Sequence, residues 1–324
     1  MIPTWISTRS GETFLNDLRR YVKGGFLTCD PAFVPLVIPA APAAAIPSNS
    51  PPIVVEGNED ALTEIFSAMG EHDAAVLAAV QNRMTVLITD ISWRRRLMNR
   101  EILVNHVFGT NLQPAFFSET TFLRGQQTLQ LNFQNNSVAG ATSFRFLFET
   151  RKFQATSFSR PQVTQHIAKE DRNKLFRTPF WLTSNAAVVA PAGGVIDAFF
   201  TVSRDVTMII YANVATFIST GVAGDIVQGF AVEFFDAKTE RPLQNQPIAR
   251  SCCSGSAGFP FVDGTGWMVE PNTTIRVRFT NLITDQPTEI FWTFKGVASL
   301  TAVNPFEVAK PELAYATPLS RGAP

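Results

Sequence analysis

The feature that most constrains this 324-residue chain is an internal repeat, in which the second copy aligns with the first at an offset of 146 positions. When residues 86–153 are compared with residues 232–299 without gaps, 13 positions are identical. Self-similarity of this kind indicates that one structural unit is present twice in the chain. The identical positions are Val86, Asp90, Arg95, Leu97, Asn99, Ile102, Gly109, Pro114, Thr128, Phe133, Asn135, Thr142 and Phe148.

Apolar residues alternate with polar residues in both copies of the repeat. This period of two is typical of antiparallel strands that bury one face. Each copy spans about 120 residues and contains several such runs, separated by Asn, Gly, Pro and Asp. The spacing predicts a β-sandwich or jelly roll in each copy. The clearest runs are Leu129-Leu131-Phe133, Phe144-Phe146-Phe148, Ile275-Val277-Phe279 and Ile290-Trp292-Phe294.

The fold class predicted from these patterns is all-β, with two tandem antiparallel jelly-roll or β-sandwich domains, a short N-terminal helix and extended arms. Ser10 could cap a helix from Glu12 to Lys23, and an Ala-rich run at 73–81 could form a second short helix. The predicted division is a 1–29 arm with the helix, a 30–155 first domain, a 156–175 linker, a 176–300 second domain and a 301–324 extended tail.

The repeated polar residues are expected at turns. Asp90 and Asp236 follow apolar strands, where a carboxylate can accept hydrogen bonds from backbone N–H groups. Asn135 and Asn281 are expected to close a later strand with another turn. The Leu-x-Asn segment at 97–99 is expected to begin the strand that comes next.

Catalytic and metal-binding patterns are not found in the sequence. The histidines His72, His106 and His166 have no second ligand at a metal-site spacing, and His106 is expected in a strand or loop. No phosphate-binding glycine loop and no Gly-x-Ser-x-Gly motif occurs. The carboxylate pairs Glu59-Asp60 and Glu170-Asp171 are interpreted as solvated surface. We therefore expect no enzyme activity, and no catalytic, cofactor-binding or metal-binding residue.

Charge and hydropathy restrict the partners. Lys+Arg equals Asp+Glu at 27 each, so the chain lacks the strongly basic character of most nucleic-acid-binding domains. The basic cluster Arg94-Arg95-Arg96 is interpreted as a solvated turn or a salt-bridge patch between subunits, with nucleic-acid contact as a weaker possibility. Prolines interrupt the most apolar stretch, 33–47, so no transmembrane segment is expected. Synthesis in a cytoplasm without export is expected.

A longer motif gives a resemblance. It consists of Leu97-Met98-Asn99, then Val107-Phe108-Gly109-Thr110 and Pro114, then the alternating strand 127–136 and the strand 144–151. This order resembles a repeat in bacteriophage virion proteins. The second copy keeps it with Gly255-Ser256, Pro260 and the strand 274–281.

Two jelly rolls in one chain, preceded by a helix, also resemble the double-jelly-roll major capsid proteins. That resemblance implies a virion protein that is made in the host cytoplasm. It also implies that three chains form a pseudo-hexameric capsomer with strands upright to the shell. The partners implied are the chain itself, as a homotrimer or higher assembly, and other virion proteins. The family supplies no catalytic residue to transfer.

An alternative function is a tail, neck or head-decoration protein whose β domains bind a receptor or glycan. This alternative predicts exposed aromatic platforms, with Trp93, Trp181 and Trp267 as candidates. Under either hypothesis, the unduplicated arms 1–29 and 301–324 are the expected places for contacts that are specific to assembly.

Overall fold

The computed structural model describes most of the two repeated units. The predicted helix at 12–23, the 156–175 linker and the 301–324 tail lie outside the described residues, as do both predicted carboxylate pairs and all but Asp73 of the 73–81 run. No helix among the described residues is long and apolar enough to cross a membrane. The described ranges are 26–42, 47–56, 61–73, 83–91, 95–110, 112–123, 127–154, 177–204, 206–219, 229–236, 239–258 and 260–300.

The first domain is a sandwich of two antiparallel sheets. One sheet has the strand order β1-β10-β4-β8, and the other is built on β9 and β5 with the short strands β2, β3, β6 and β7 at its margins. The elements are β1 (Phe26–Ile38), β2 (Ser48–Asn49), β3 (Ile53–Glu56), β4 (Ala61–His72), β5 (Met84–Asp90), β6 (Arg95–Arg96), β7 (Ile102–Leu103), the helix α1 (Val104–Val107), β8 (Ala115–Leu123), β9 (Thr128–Asn135) and β10 (Thr142–Gln154).

The second domain repeats this sandwich. Its sheets have the orders β11-β19-β14-β17, with β12 also paired to β19, and β13-β18-β15-β16. A 3₁₀ turn at Arg250–Cys252 takes the place of α1. The strands are β11 (Arg177–Thr183), β12 (Val188–Ala190), β13 (Val195–Thr201), β14 (Val206–Ser219), β15 (Phe230–Phe235), β16 (Ile248–Ala249), β17 (Phe261–Val269), β18 (Thr274–Asn281) and β19 (Thr288–Leu300).

The duplication holds at the level of individual strands. The strands β8, β9 and β10 begin and end 146 positions before β17, β18 and β19. A register shift also recurs at the same place, between Glu149 and Thr150 in the first domain and between Lys295 and Gly296 in the second. The partner residues on β14 are displaced by one position relative to those on β4. The predicted all-β jelly-roll or β-sandwich fold is therefore confirmed, whereas the predicted domain bounds stay a prediction.

The cores contain the alternating residues that define the strands. Burial alternates residue by residue along β5 and β9, as the period of two predicts. Phe108 lies among the rings of Phe133, Phe144, Phe146 and Phe148, with centroids 5.6–6.1 Å apart. Aromatic pairs at such distances add to the free energy gained from burial, which explains the use of so many of the 28 phenylalanines here.

A buried asparagine closes β9, as predicted. Asn135 is fully buried, and its side-chain N–H groups donate to the carbonyls of Pro39 and Gly140, both at 3.0 Å. Its side-chain oxygen accepts from the N–H of Ser137 at 2.9 Å. One amide therefore satisfies three backbone groups that the end of the strand leaves without ladder partners.

Asn281 makes the same set of bonds at the end of β18. It donates to the carbonyls of Pro191 and Gln286 at 2.9 Å, and it accepts from the N–H of Ile283 at 3.0 Å. Gln286 and Ile283 stand at the positions repeated from Gly140 and Ser137. The identity of these two asparagines thus has a structural cause that is independent of function.

We predict that Asn135→Ala lowers the free energy of unfolding by about 2 kcal/mol, because it leaves buried carbonyls without a donor. Asn132→Ala, on the same strand but half-buried, should change it by less than about 0.5 kcal/mol. Urea unfolding of both variants tests this. Equal effects of the two substitutions would show that the buried amide has no special role.

Candidate assembly interface

The two domains are joined by backbone hydrogen bonds along a seam between residues 97–99 and β11. The Trp181 N–H donates to the Leu97 carbonyl at 3.0 Å, and the Asn99 N–H donates to the Trp181 carbonyl at 3.3 Å. Met98 and Trp181 form an isolated parallel bridge. The expectation that 97–99 begins the next strand is therefore wrong, because that strand begins at Ile102. The Leu97 N–H donates to the Ile88 carbonyl of its own domain, whereas the Leu97 carbonyl and the Asn99 N–H pair with the other domain.

Side chains extend this pairing. Asn99 donates to the Thr183 carbonyl at 2.8 Å and accepts from the Thr183 N–H at 2.9 Å. Its amide thus takes the place of one more peptide group in the ladder. The Arg100 guanidinium donates to the Asn185 carbonyl at 2.9 Å. Beside these bonds, Arg83 and Glu289 form an ion pair across the seam at 2.7 Å.

Trp181 is the apolar anchor of the seam. Although it belongs to β11 of the second domain, it is 1% exposed and is part of the first domain's core. Its ring meets Phe117 of β8 edge-on, with centroids 5.2 Å apart. Trp181 therefore cannot serve as the exposed platform suggested by the glycan-binding alternative.

The other two candidate platforms have different positions. Trp267 is half-buried and lies edge-on to Phe294 of its own core, with centroids 6.2 Å apart. Trp93 lies outside the described residues. Neither adds an observation in favour of a glycan platform.

His106 lies in α1 at the same seam, not in a strand or loop. Its ring nitrogens are 2.8 Å from the Thr293 hydroxyl and 3.0 Å from the Thr216 hydroxyl, both in the second domain. Complete burial and the neighbouring charge of Lys295 lower the pKa of His106 to about 3. The ring is therefore neutral and holds the two domains together through hydroxyl groups.

Lys295 is a buried amine in the same region. Burial lowers its pKa to about 8, and its Nζ donates to the Ala257 carbonyl at 3.4 Å. In the described part of the chain, no group of three or more His, Cys, Asp or Glu could hold a metal ion. The burial of His106 and Lys295 and the hydrogen bonds of both side chains favour a structural role for these two residues.

The structure describes the side chains of two cysteines. Cys252 is exposed and Cys253 is buried, and both are free thiols. Burial raises the pKa of Cys253 to about 12, so this thiol stays protonated at neutral pH.

The basic cluster is divided between two environments. Arg95 forms an ion pair with the buried Asp90 at 3.2 Å, so the carboxylate predicted to bind backbone N–H groups binds an arginine side chain. Arg96 is exposed, and Arg94 lies outside the described residues. In contrast, Asp236 accepts from the Thr239 N–H at 2.7 Å, as predicted for this turn. Contact of the cluster with nucleic acid stays an untested prediction.

Because the domain is duplicated, each side of the seam has a counterpart elsewhere in the chain. In the seam, β8 lies against β11 and β19. The counterpart of β8 is β17, which is the edge strand of its sheet. The counterparts of β11 and β19 are β1 and β10, and β1 is likewise an edge strand. The first domain therefore carries one half of a second seam, formed by β1 and β10, and the second domain carries the other half in β17.

Exposure differs between the two copies at these positions. Leu97 is 1% exposed, whereas its counterpart Leu243 is 54% exposed. Ala115 is fully buried, whereas its counterpart Phe261 is 41% exposed. We call the exposed apolar residues of β14, β17 and the 241–247 loop the free flank. They are Tyr211, Leu243, Phe261 and Met268.

Comparisons with known proteins give structural likeness only. No family model and no curated protein matches the sequence. A chain from the atomic structure of Sulfolobus Turreted Icosahedral Virus is 11% identical, with 90% of this chain and 97% of that chain covered and a TM-score of 0.43.

Two further solved structures have lower scores. A structure of PNGF-II is 8% identical, with coverages of 89% and 67% and a TM-score of 0.34. The tandem CBM22 domains of Paenibacillus barcinonensis Xyn10C are 12% identical, with coverages of 86% and 95% and a TM-score of 0.18.

Trp181→Ala should uncouple the unfolding of the two domains. Removing this ring from the first domain's core should cost about 3–5 kcal/mol. Scanning calorimetry should then resolve two transitions where the native chain has one. Trp267→Ala, within the second domain, should lower stability without separating the transitions. A single transition in Trp181→Ala would contradict the role of this residue as the anchor.

Lowering the pH should lower the free energy of unfolding through His106. Its pKa in the folded state is below the unfolded value of 6.5, so the stability it contributes is present above pH 6.5 and is lost as pH falls towards 3. The free energy of unfolding should fall by about 1 kcal/mol per pH unit for this one group. Urea unfolding between pH 6.5 and 4.5 measures the slope.

His106→Gln should remove the contribution of His106 to the dependence of the free energy of unfolding on pH. His72, whose pKa burial lowers to about 4, should contribute a separate share that His72→Gln removes. If the slope of His106→Gln equals that of the native chain, His106 is not a buried neutral group.

Proposed function

We propose that this chain is a virion structural protein, a double-jelly-roll capsid protein that forms or covers a phage shell by self-association. The observation that carries the proposal is the free flank, an apolar copy of a surface that the first domain buries within the chain. Monomeric proteins seldom leave such surfaces uncovered at a sheet edge, since edges and apolar patches favour association.

The seam is a heterologous contact, because it joins the β8 side of one domain to the β11 side of the next. If the same contact forms between chains, the free flank of one chain meets β1 and β10 of another. Repeated head-to-tail contacts generate a closed ring when the rotation closes. Three chains would supply six similar domains, which is the homotrimer of the proposal.

The backbone groups for this contact are in place. β1 has 13 residues and lies at the edge of its sheet, and a long edge strand of this kind is a template for pairing. Residues 243–245 correspond to 97–99, and residues 29–31 of β1 hold the ladder positions that correspond to 181–183. In the assembly, 243–245 of one chain pairs with 29–31 of the next.

Under this proposal the protein resides in the virion, is made in the host cytoplasm, and has itself and other virion proteins as partners. It performs no chemistry, so it needs no cofactor. Of the polar seam residues, Asn99 is repeated as Asn245, whereas Arg100 and His106 are replaced by Gln246 and Cys252. Contacts between chains therefore depend more on apolar area and backbone pairing than the seam does.

Leu243→Glu should abolish self-association, because a carboxylate buried against β1 would lose its hydration. The native chain should form closed trimers or larger assemblies, whereas the variant should be monomeric and folded. Native mass spectrometry and light scattering measure this. Leu282→Glu is the matched control, since Leu282 is 45% exposed at the end of β18, away from the free flank. Assembly of Leu243→Glu, or a native chain that stays monomeric, would overturn the proposal.

A further inference from the structure

A cleft of about 820 Å³ opens beside the seam, with one wall from each domain. Its first wall includes Arg95, Arg96 and Arg100, and its second includes Phe180, Val206 and Ala298. No function of the seam described so far uses this space.

The first wall is basic. Arg95 is held by Asp90, and Arg100 is held by backbone carbonyls of the second domain. Arg96 is exposed and has no ion-pair partner among the described residues. Among the described residues that line the cleft, Glu101 is the acidic one, so the guanidinium groups there outnumber the carboxylates. An exposed arginine beside two fixed ones can bind a carboxylate through two parallel hydrogen bonds.

The floor of the cleft is apolar. Met98 is fully buried, Phe180 is 9% exposed and Ala298 is 6% exposed, and all three line the cleft. A matching occupant would therefore combine an apolar side chain with a neighbouring carboxylate. Such a pairing of an apolar floor with a few polar groups is typical of binding clefts.

This chemistry does not come from the duplication. The counterparts of Arg95, Arg96 and Arg100 in the second domain are Arg241, Pro242 and Gln246. Two of the three positive charges are therefore specific to the first copy. The basic wall belongs to the cleft and not to the common fold.

The segment that follows β19 in the sequence contains residues that suit the cleft. β19 ends at Leu300, which pairs with Val206, and both Val206 and Ala298 line the cleft. The first acidic residue after Leu300 is Glu307, preceded by Phe306. Seven extended residues span up to about 25 Å, which is enough to return across a cleft of this size.

We propose that the cleft binds the C-terminal arm of the same chain, with the Glu307 carboxylate on Arg96 and Phe306 on the apolar floor. Seating the arm would cover the seam and add contacts to both domains. The ordering of the arm costs conformational entropy, which the buried aromatic ring and the charged hydrogen bonds offset. This contact does not depend on assembly, so it is present in a monomer.

A zero-length coupling experiment tests the contact directly in the full chain. Arg96→Lys keeps the positive charge and supplies an amine, which a carbodiimide couples to a neighbouring carboxylate. Mass spectrometry should find the amide between positions 96 and 307. The native chain, whose arginine does not couple, and Arg96→Lys combined with Glu307→Gln should both lack it.

Coupling in a mixture of ¹⁴N- and ¹⁵N-labelled chains of the Arg96→Lys variant identifies the origin of the arm. Products within one isotope label support the proposal. Mixed products would overturn the assignment to the same chain, and coupling of the amine at position 96 to residues other than Glu307 would overturn the occupant.

Charge reversal gives a second, independent readout. In Arg96→Glu, amide hydrogen exchange of residues 304–309 should accelerate at least about tenfold, because the arm loses its partner. Glu307→Arg should have the same effect, and the double variant should restore protection. Glu312→Arg is the control and should exchange like the native chain. Unchanged exchange in Arg96→Glu would contradict the proposal even if the protein assembles as proposed above.

Discussion

The insertion of Trp181 into the core of the other domain is the interaction on which the arrangement of this chain depends. A side chain of β11 fills space among the strands of the first sandwich, and the backbone on either side pairs with residues 97–99. The buried indole packs closely in the first domain, and the short ladder of hydrogen bonds beside it has a fixed direction. Together they fix the orientation of one domain relative to the other. His106 adds a neutral polar contact that burial keeps from protonating.

This contact has a direction, and the direction has consequences for assembly. The β8 side of one domain packs against the β11 side of the next domain. Because each domain has both kinds of side, a further copy can be joined at either end of the pair. The chain contains one such joint and the halves of another, since β17 and β1 are both sheet edges. Exposure of Leu243 and Phe261, where Leu97 and Ala115 are buried, is the observation on which the proposed joint between molecules rests.

Much of the fold could be predicted from the sequence, because it is encoded locally. The alternation along β9 and β18 placed the apolar side chains on one face, and Asn135 and Asn281 marked the ends of those strands. The seam could not be predicted in this way. Asn99 and Thr183 are 84 positions apart, and the Leu-x-Asn segment looks the same in both copies although only 97–99 pairs with β11. Trp181 likewise gave no local signal that its ring belongs to the other domain's core.

The same limit applies to the cleft. Three clustered arginines were visible in the sequence, but the position of Arg96 beside the end of β19 arises only when both domains are assembled. Local patterns therefore specified the two units, while long-range pairing specified how the chain uses them.

A cryo-electron-microscopy structure of the purified, assembled protein tests the central claim most directly. The head-to-tail arrangement predicts that residues 243–245 of each chain lie along 29–31 of the next, with Leu243 and Phe261 buried, in a closed ring of three chains. An assembly in which two copies of the free flank meet each other, or in which β17 stays open to solvent, would contradict it.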